Sequence, residues 1–220
     1  MAKRTVEESS LTAVADAIRE RAGTSDPLVF PEEYESVVRG IPDKLDLWAN
    51  GTLTEYRNTE FKFPREHGFV KQYNLKKVEY TEAWTAGYYS FDRCTALETV
   101  IMPKLTEVTT CSFVDCTSLK RFDCPLLNTI NGGGFQRAGL ETLTIRKTDG
   151  LCVLNNVSAF AGTPIANGTG YIYVPRVLVD SYKAATNWST YASQFRALED
   201  YTVDGTTTGE LDESKIRGAA

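Results

Sequence analysis

The residues that most often do chemistry are few in this chain of 220 and are poorly spaced for it. Its one histidine, His67, sits in the run PREHGF with no serine or cysteine nucleophile motif around it. Five cysteines, Cys94, Cys111, Cys116, Cys124 and Cys152, contain no Cys-x-x-Cys pair and are remote from His67 in sequence, which is not the spacing of a zinc site. An odd number of thiols also argues against a disulfide framework. The run Gly132-Gly133-Gly134 resembles a phosphate loop only in its glycines, because no Lys-Ser/Thr follows it. Acidic residues are scattered, without a paired-carboxylate signature or EF-hand spacing. The expectation is a chain that is not an enzyme and takes no cofactor or metal. Its cysteines then serve as small apolar fillers, and its triple glycine as a tight backbone path over a core.

Composition points the same way. With 42% hydrophobic and 24% charged residues the chain reads as soluble and globular, and a net charge of −5 offers no basic stripe for nucleic acid. No run approaches the roughly 18 apolar residues of a membrane span. The opening MAKRTVEESSLTAVADAIRE is charged and lacks the apolar centre of a secretory signal, so the chain is expected to assemble in the cytoplasm that makes it. On that reading the sequon Asn187-Trp188-Ser189 carries no meaning.

The information lies in the apolar spacing. Leu53, Leu75, Leu97 and Leu119 recur every 22 residues, and Leu140 follows. Tyr56, Val78, Val100, Phe122 and Leu143 keep the same beat, as do Asn58, Tyr80, Met102, Cys124 and Ile145. Phe69, Phe91, Phe113, Phe135 and Phe160 form a further column, and Pro103 matches Pro125 as Cys94 matches Cys116. Self-similarity at this period marks a repeat architecture. Within residues 97–116, Val100 and Met102 point to one face of a short strand while Thr99 and Ile101 point to the other. Pro103 ends that strand because it cannot donate the next ladder bond. Leu105, Val108 and Phe113 then return the chain across the interior. One such unit cannot bury its apolar side alone, so the units must stack.

At these residues a family resemblance appears. The pattern L-x-x-V-x-M-P-x-L-T-x-V-x-x-x-S-F-x-x-C-x-S resembles the BspA-like leucine-rich repeat over roughly residues 52–175. The resemblance implies an α+β repeat solenoid with a short parallel sheet. The flanks are read as an N-terminal helical hairpin (1–42), a linker (43–51), a C-terminal helical cap (176–201) and a flexible tail (202–220). In the hairpin, Leu11, Val14 and Ile18 line one helix face and Tyr34, Val37 and Val38 another, either to cap the repeats or to attach another chain. In the cap, Val177, Leu178 and Tyr182 make an amphipathic helix, and Trp188, Tyr191 and Phe195 cover the open edge.

The N-terminal segment SSLTAVADAIRERAGTSDPLVFPEEYESVVRGIP is similar to the start of many phage and prophage tail, baseplate and fibre proteins of Gram-positive bacteria, and the C-terminal stretch YIYVPRVLVDSYKAATNWSTYASQFRALEDY resembles the usual ending of repeat proteins from those prophages. That similarity implies a non-enzymatic virion component, with other virion subunits or a host-surface glycan or protein as partner, in a homo-oligomer or hetero-complex. A bacterial surface adhesin and an intracellular protein-binding scaffold are the alternatives. The recognition surface is expected on the outward strand positions Glu55, Arg57, Lys77, Glu79, Thr99, Ile101, Arg121, Asp123, Thr142 and Thr144. Beside it, Trp84 stands where the next repeats have Thr106 and Asn128, and Tyr88, followed by Tyr89, stands where they have Thr110 and Gly132. Aromatics replacing polar residues at an exposed phase suit sugar stacking or a protein contact, unless the N-terminal segment covers them.

Overall fold

A computed structural model describes residues 53–59, 64 and 66–217. The expected hairpin, with Leu11, Val14, Ile18, Tyr34, Val37 and Val38, and the linker lie outside the described residues.

Each repeat opens with a short strand: β1 (Glu55–Asn58), β2 (Lys77–Tyr80), β4 (Thr99–Ile101), β6 (Arg121–Cys124), β8 (Thr142–Ile145) and β10 (Tyr171–Val174). A two-residue strand follows on the return path: β3 (Thr85–Ala86), β5 (Glu107–Val108), β7 (Thr129–Ile130) and β9 (Val153–Leu154). All pair in parallel. Lys77 pairs with Glu55 on one side and Thr99 on the other, so neighbours in the sheet are 22 residues apart in sequence. The return strands form one continuous sheet, β3-β5-β7-β9, but the opening strands form two, β1-β2-β4 and β6-β8-β10 with a further strand, β11 (Phe195–Ala197). The interruption between β4 and β6 leaves a groove of about 330 Å³ lined by Val100, Ile101, Met102, Pro103, Asp123, Pro125 and Arg146. Val78, Phe122 and Leu143 are buried as their column requires. Val100 departs from that expectation and is half-buried, because the sheet opens beside it.

The turn after each return strand makes a third ladder. Amides of Tyr89, Phe91 and Arg93 donate to the carbonyls of Thr110, Ser112 and Val114, one repeat further on. Presenting alternate amides along the stack requires left-handed backbone on either side of Phe69, Phe91, Phe113 and Phe135. Accordingly His67, Tyr89 and Cys111 have φ of 55°, 51° and 59°, and Lys71, Arg93, Asp115 and Arg137 lie between 55° and 60°. Such conformations cost non-glycine residues of order 1–3 kcal/mol each, which the ladder and the phenylalanine packing must offset. Gly133, at φ 68° in the same column as Cys111, occupies it without that penalty, and Gly132 and Gly134 accept the amides of Cys111 and Phe113. The triple glycine is therefore a piece of the turn ladder.

The phenylalanines between these turns are fully buried and stack ring on ring. Centroid separations are 5.1, 5.1, 5.5 and 5.9 Å from Phe69 through Phe91, Phe113 and Phe135 to Phe160, with interplanar angles of 14° or less. Trp188 and Tyr191 pack against Phe160, and Tyr56 meets Phe69 edge-on.

The C-terminal region carries three corrections. Val177 is 79% exposed, so helix α1 (Val179–Ala184) buries Tyr182 without it. Tyr182 accepts the amide of Cys152 at 2.8 Å, and the Trp188 indole donates to the Cys152 carbonyl at 2.7 Å. Phe195 lies in a strand, with Ile172 opposite it, so the sheet gains a member that has no repeat leucine. The tail expected over 202–220 is structured through Arg217. Thr202 bridges Leu211, helix α2 spans Glu213–Arg217, and Ile216 packs with Tyr173 and Leu198. A few well-placed apolar residues anchor this segment, and they show no periodicity to read.

The cysteines do more than fill space. Cys94 donates its thiol to the Phe69 carbonyl at 2.9 Å and Cys116 to the Phe91 carbonyl at 3.1 Å, the same bond repeated one unit later. Burial pushes the thiols of Cys94 and Cys124 from 9.0 up to about 12. A raised folded-state pKa means that the native chain keeps protons the unfolded chain loses, so stability falls as pH rises. The contribution is intact below pH 9 and is lost progressively toward pH 12. The thermal midpoint should be flat from pH 7 to 8 and drop steadily from pH 9 to 11, less steeply in Cys94→Ala. A midpoint unchanged across the alkaline range would contradict the buried thiol placement.

Candidate recognition surface

The outward strand positions form two rows across the sheets. Pairing aligns Glu55, Lys77 and Thr99 in one row and Arg57, Glu79 and Ile101 in the other. Beyond the interruption the rows continue as Arg121, Thr142 and Tyr171, and as Asp123, Thr144 and Tyr173. The change of charge from repeat to repeat has a local cause: neighbours neutralise one another. Arg57 pairs with Glu79 at 3.1 Å, and Arg146 grips Asp123 through Nε at 2.8 Å and Nη2 at 2.7 Å. Opposite charges facing across strands support the sheet, so part of the sequence variation belongs to stacking.

Exposure divides the expected residues. Thr99 and Ile101 are exposed, Lys77 and Glu79 are half-buried, and Asp123 is exposed although bound by Arg146. Arg121 is half-buried and pairs with Glu213. Thr142 and Thr144 contradict the expectation of an open face: both are buried. On the strands either side of β8, Arg121 pairs with Glu213 and Tyr173 packs with Ile216 of the C-terminal segment.

The aromatic positions are partly open. Trp84 and Tyr88 flank β3 and are 47% and 42% exposed. Tyr89 is half-buried and stacks on His67 at 5.4 Å with an interplanar angle of 6°, while Tyr88 meets Tyr89 edge-on at 4.5 Å. The hydrogen bond with Cys111, followed by the neighbouring Cys111 and Tyr88 charges, lifts the Tyr89 phenol to about 12. The Tyr89 phenol therefore keeps its proton at neutral pH and presents a neutral hydroxyl at the edge of the patch. Sequence reading set His67 aside as isolated. The signal that places it is the 22-residue interval: His67, Tyr89 and Cys111 are equivalent left-handed turn positions in successive repeats. Their amides bond into the turn ladder, with the His67 N–H donating to Tyr88 at 3.0 Å, so the cluster sits on a fixed backbone.

Among the described residues no group of three or more His, Cys, Asp or Glu side chains could hold a metal ion, and no helix is long and apolar enough to cross a membrane. A second pocket, about 460 Å³, is lined by Glu98, Thr117, Ser118, Lys120 and Arg121, beside the same sheet interruption.

Residues 60–163 match the family model described as the BspA type leucine-rich repeat region, in six copies. No curated protein matches the chain. Repeats of this type are typically non-enzymatic and generally mediate protein–protein interaction. Because Trp84 and Tyr88 stand free of the core, Trp84→Ala/Tyr88→Ala should shift unfolding stability by no more than about 0.5 kcal/mol per substitution. Thermal and urea melts check this, and a loss of several kcal/mol would assign the rings to packing.

Proposed function

We propose that the chain is a non-enzymatic binding protein whose repeats wind as a solenoid over residues 52–175. Residues 176–201 then close one end, and Trp84, Tyr88, Tyr89 and His67 meet a partner. The observation that carries this reading is the exposed ring cluster, because large aromatics usually find cover within a fold and dominate contact energies where they do not. Within that reading we assign the chain to a bacteriophage particle, as a tail, baseplate or fibre component that engages a host-surface glycan or protein or a neighbouring virion subunit. The support is the similarity of the N-terminal segment to the start of such proteins and of the C-terminal stretch to the ending of prophage repeat proteins. Leu11, Val14, Ile18, Tyr34, Val37 and Val38 are then candidate assembly residues, in a homo-oligomer or a hetero-complex. The matched repeat type equally favours a bacterial surface adhesin.

Antibodies against the chain separate the two settings: label on released phage particles supports the virion role, and label on intact uninfected cells supports the adhesin. Purified protein should bind Gram-positive host cells, and Trp84→Ala/Tyr88→Ala should reduce that binding at least tenfold with its melting unchanged. Undiminished binding by the double variant would move the contact off the aromatic cluster.

A further inference from the structure

The buried part of the strand face has features of a site with its own occupant. Residues 202–217 fold largely on themselves. Val203 donates its amide to Glu210 at 2.9 Å, Asp212 donates to Tyr201 at 2.8 Å, and the Thr202 hydroxyl donates to the Thr206 carbonyl at 2.9 Å. This compact strap reaches the strands through side-chain anchors. Glu213 pairs with Arg121 of β6. Arg146, at the end of β8, donates from Nη1 to the carbonyls of Thr207 and Gly209 at 2.7 and 2.9 Å. Ile216 packs on Tyr173 of β10 and on Leu198.

Beneath it the fit is incomplete. Thr144 and Tyr173 face each other in register on adjacent strands, both fully buried, and neither hydroxyl has a hydrogen-bond partner. Leaving a buried hydroxyl unpaired is unfavourable, so a better-matched occupant would gain on the resident one. The covered face also continues into the open groove at the sheet interruption, because Asp123 and Arg146 line that groove while Arg146 holds the strap.

We infer that the face of β6, β8 and β10 is a polypeptide-binding site and that residues 202–217 are its displaceable occupant. The strap states the chemistry of the partner: main-chain carbonyls for Arg146, a carboxylate for Arg121 and an aliphatic side chain for Tyr173. A partner segment of that kind enters from the groove, takes over Arg146 and lifts the strap. This deepens the reading of the chain as a binding protein and concerns a different surface from the aromatic cluster. Its test uses neither host cells nor particles, so either idea can fail alone.

Hydrogen exchange on the unaltered full-length chain comes first. The amides of Val203, Gly209 and Asp212 should exchange at least tenfold faster than those of Phe113 and Leu143, by an opening that leaves the repeats protected. Exchange of both sets in one common event would overturn the inference, because the strap would then be part of the core. The second arm uses a fluorescent synthetic peptide of residues 201–217 and a full-length variant, Glu213→Arg/Ile216→Asp, which removes two strap anchors. The variant should bind the peptide at least tenfold more tightly than the unaltered chain, and adding Arg121→Glu should abolish the gain. A variant that melts cooperatively but does not bind the peptide overturns the inference, as does one that fails to fold.

Discussion

Parallel pairing between repeats is the constraint on which everything else depends. A parallel ladder needs each chain segment to return to the same position one strand spacing further along, about 4.8 Å away. In this protein the return takes 22 residues where Lys77 meets Thr99 and where Glu107 meets Thr129. Side-chain columns then follow without further specification. A phenylalanine placed once per period must lie over the phenylalanine of the previous period, and a charge must lie beside its counterpart. Lys104 with Glu82, and Arg137 with Asp115, are such pairs. The cost falls on the backbone at the left-handed turns, and it recurs with the repeat.

That arrangement makes the repeats a scaffold and leaves function to departures from the pattern. Trp84 and Tyr88 replace polar residues, and His67 and Tyr89 occupy turn positions that the next repeat fills with Cys111. Their rigidity comes from the ladder amides beneath them. The sheet interruption between β4 and β6 is a departure of another kind, opening a groove where the period alone would place continuous pairing. The two departures lie on different parts of the repeat, one beside a return strand and one between opening strands. On the proposed readings, each departure belongs to a separate contact surface of the scaffold.

The columns were legible in sequence because each is a short periodic pattern whose physics is local: alternation on a strand, a proline at its end, a ring in the return path. Inward and outward phases were read correctly for Val78, Phe122, Leu143, Thr99 and Ile101. Burial of Thr142 and Thr144 was not legible, since the residues that meet the flanking strands lie more than sixty positions further along the chain. Ile216 and Leu211 belong to no period, and β11 joins the sheet without a repeat leucine. The stacking of His67 on Tyr89 was readable in principle, as both fall at one phase of the 22-residue interval. Their chemical dissimilarity hid the equivalence.

Excising one period tests the central claim most directly. Removing residues 98–119 joins Leu97 to Lys120 and deletes 22 residues, which keeps every later column in phase. Removing only residues 99–118 takes out nearly the same mass but shifts all later strands by two positions against their partners. The account predicts that the first deletion yields a folded chain with a single cooperative melt, and that the second does not fold. Equal tolerance of both deletions, or equal failure, would contradict the claim that register between repeats governs this structure.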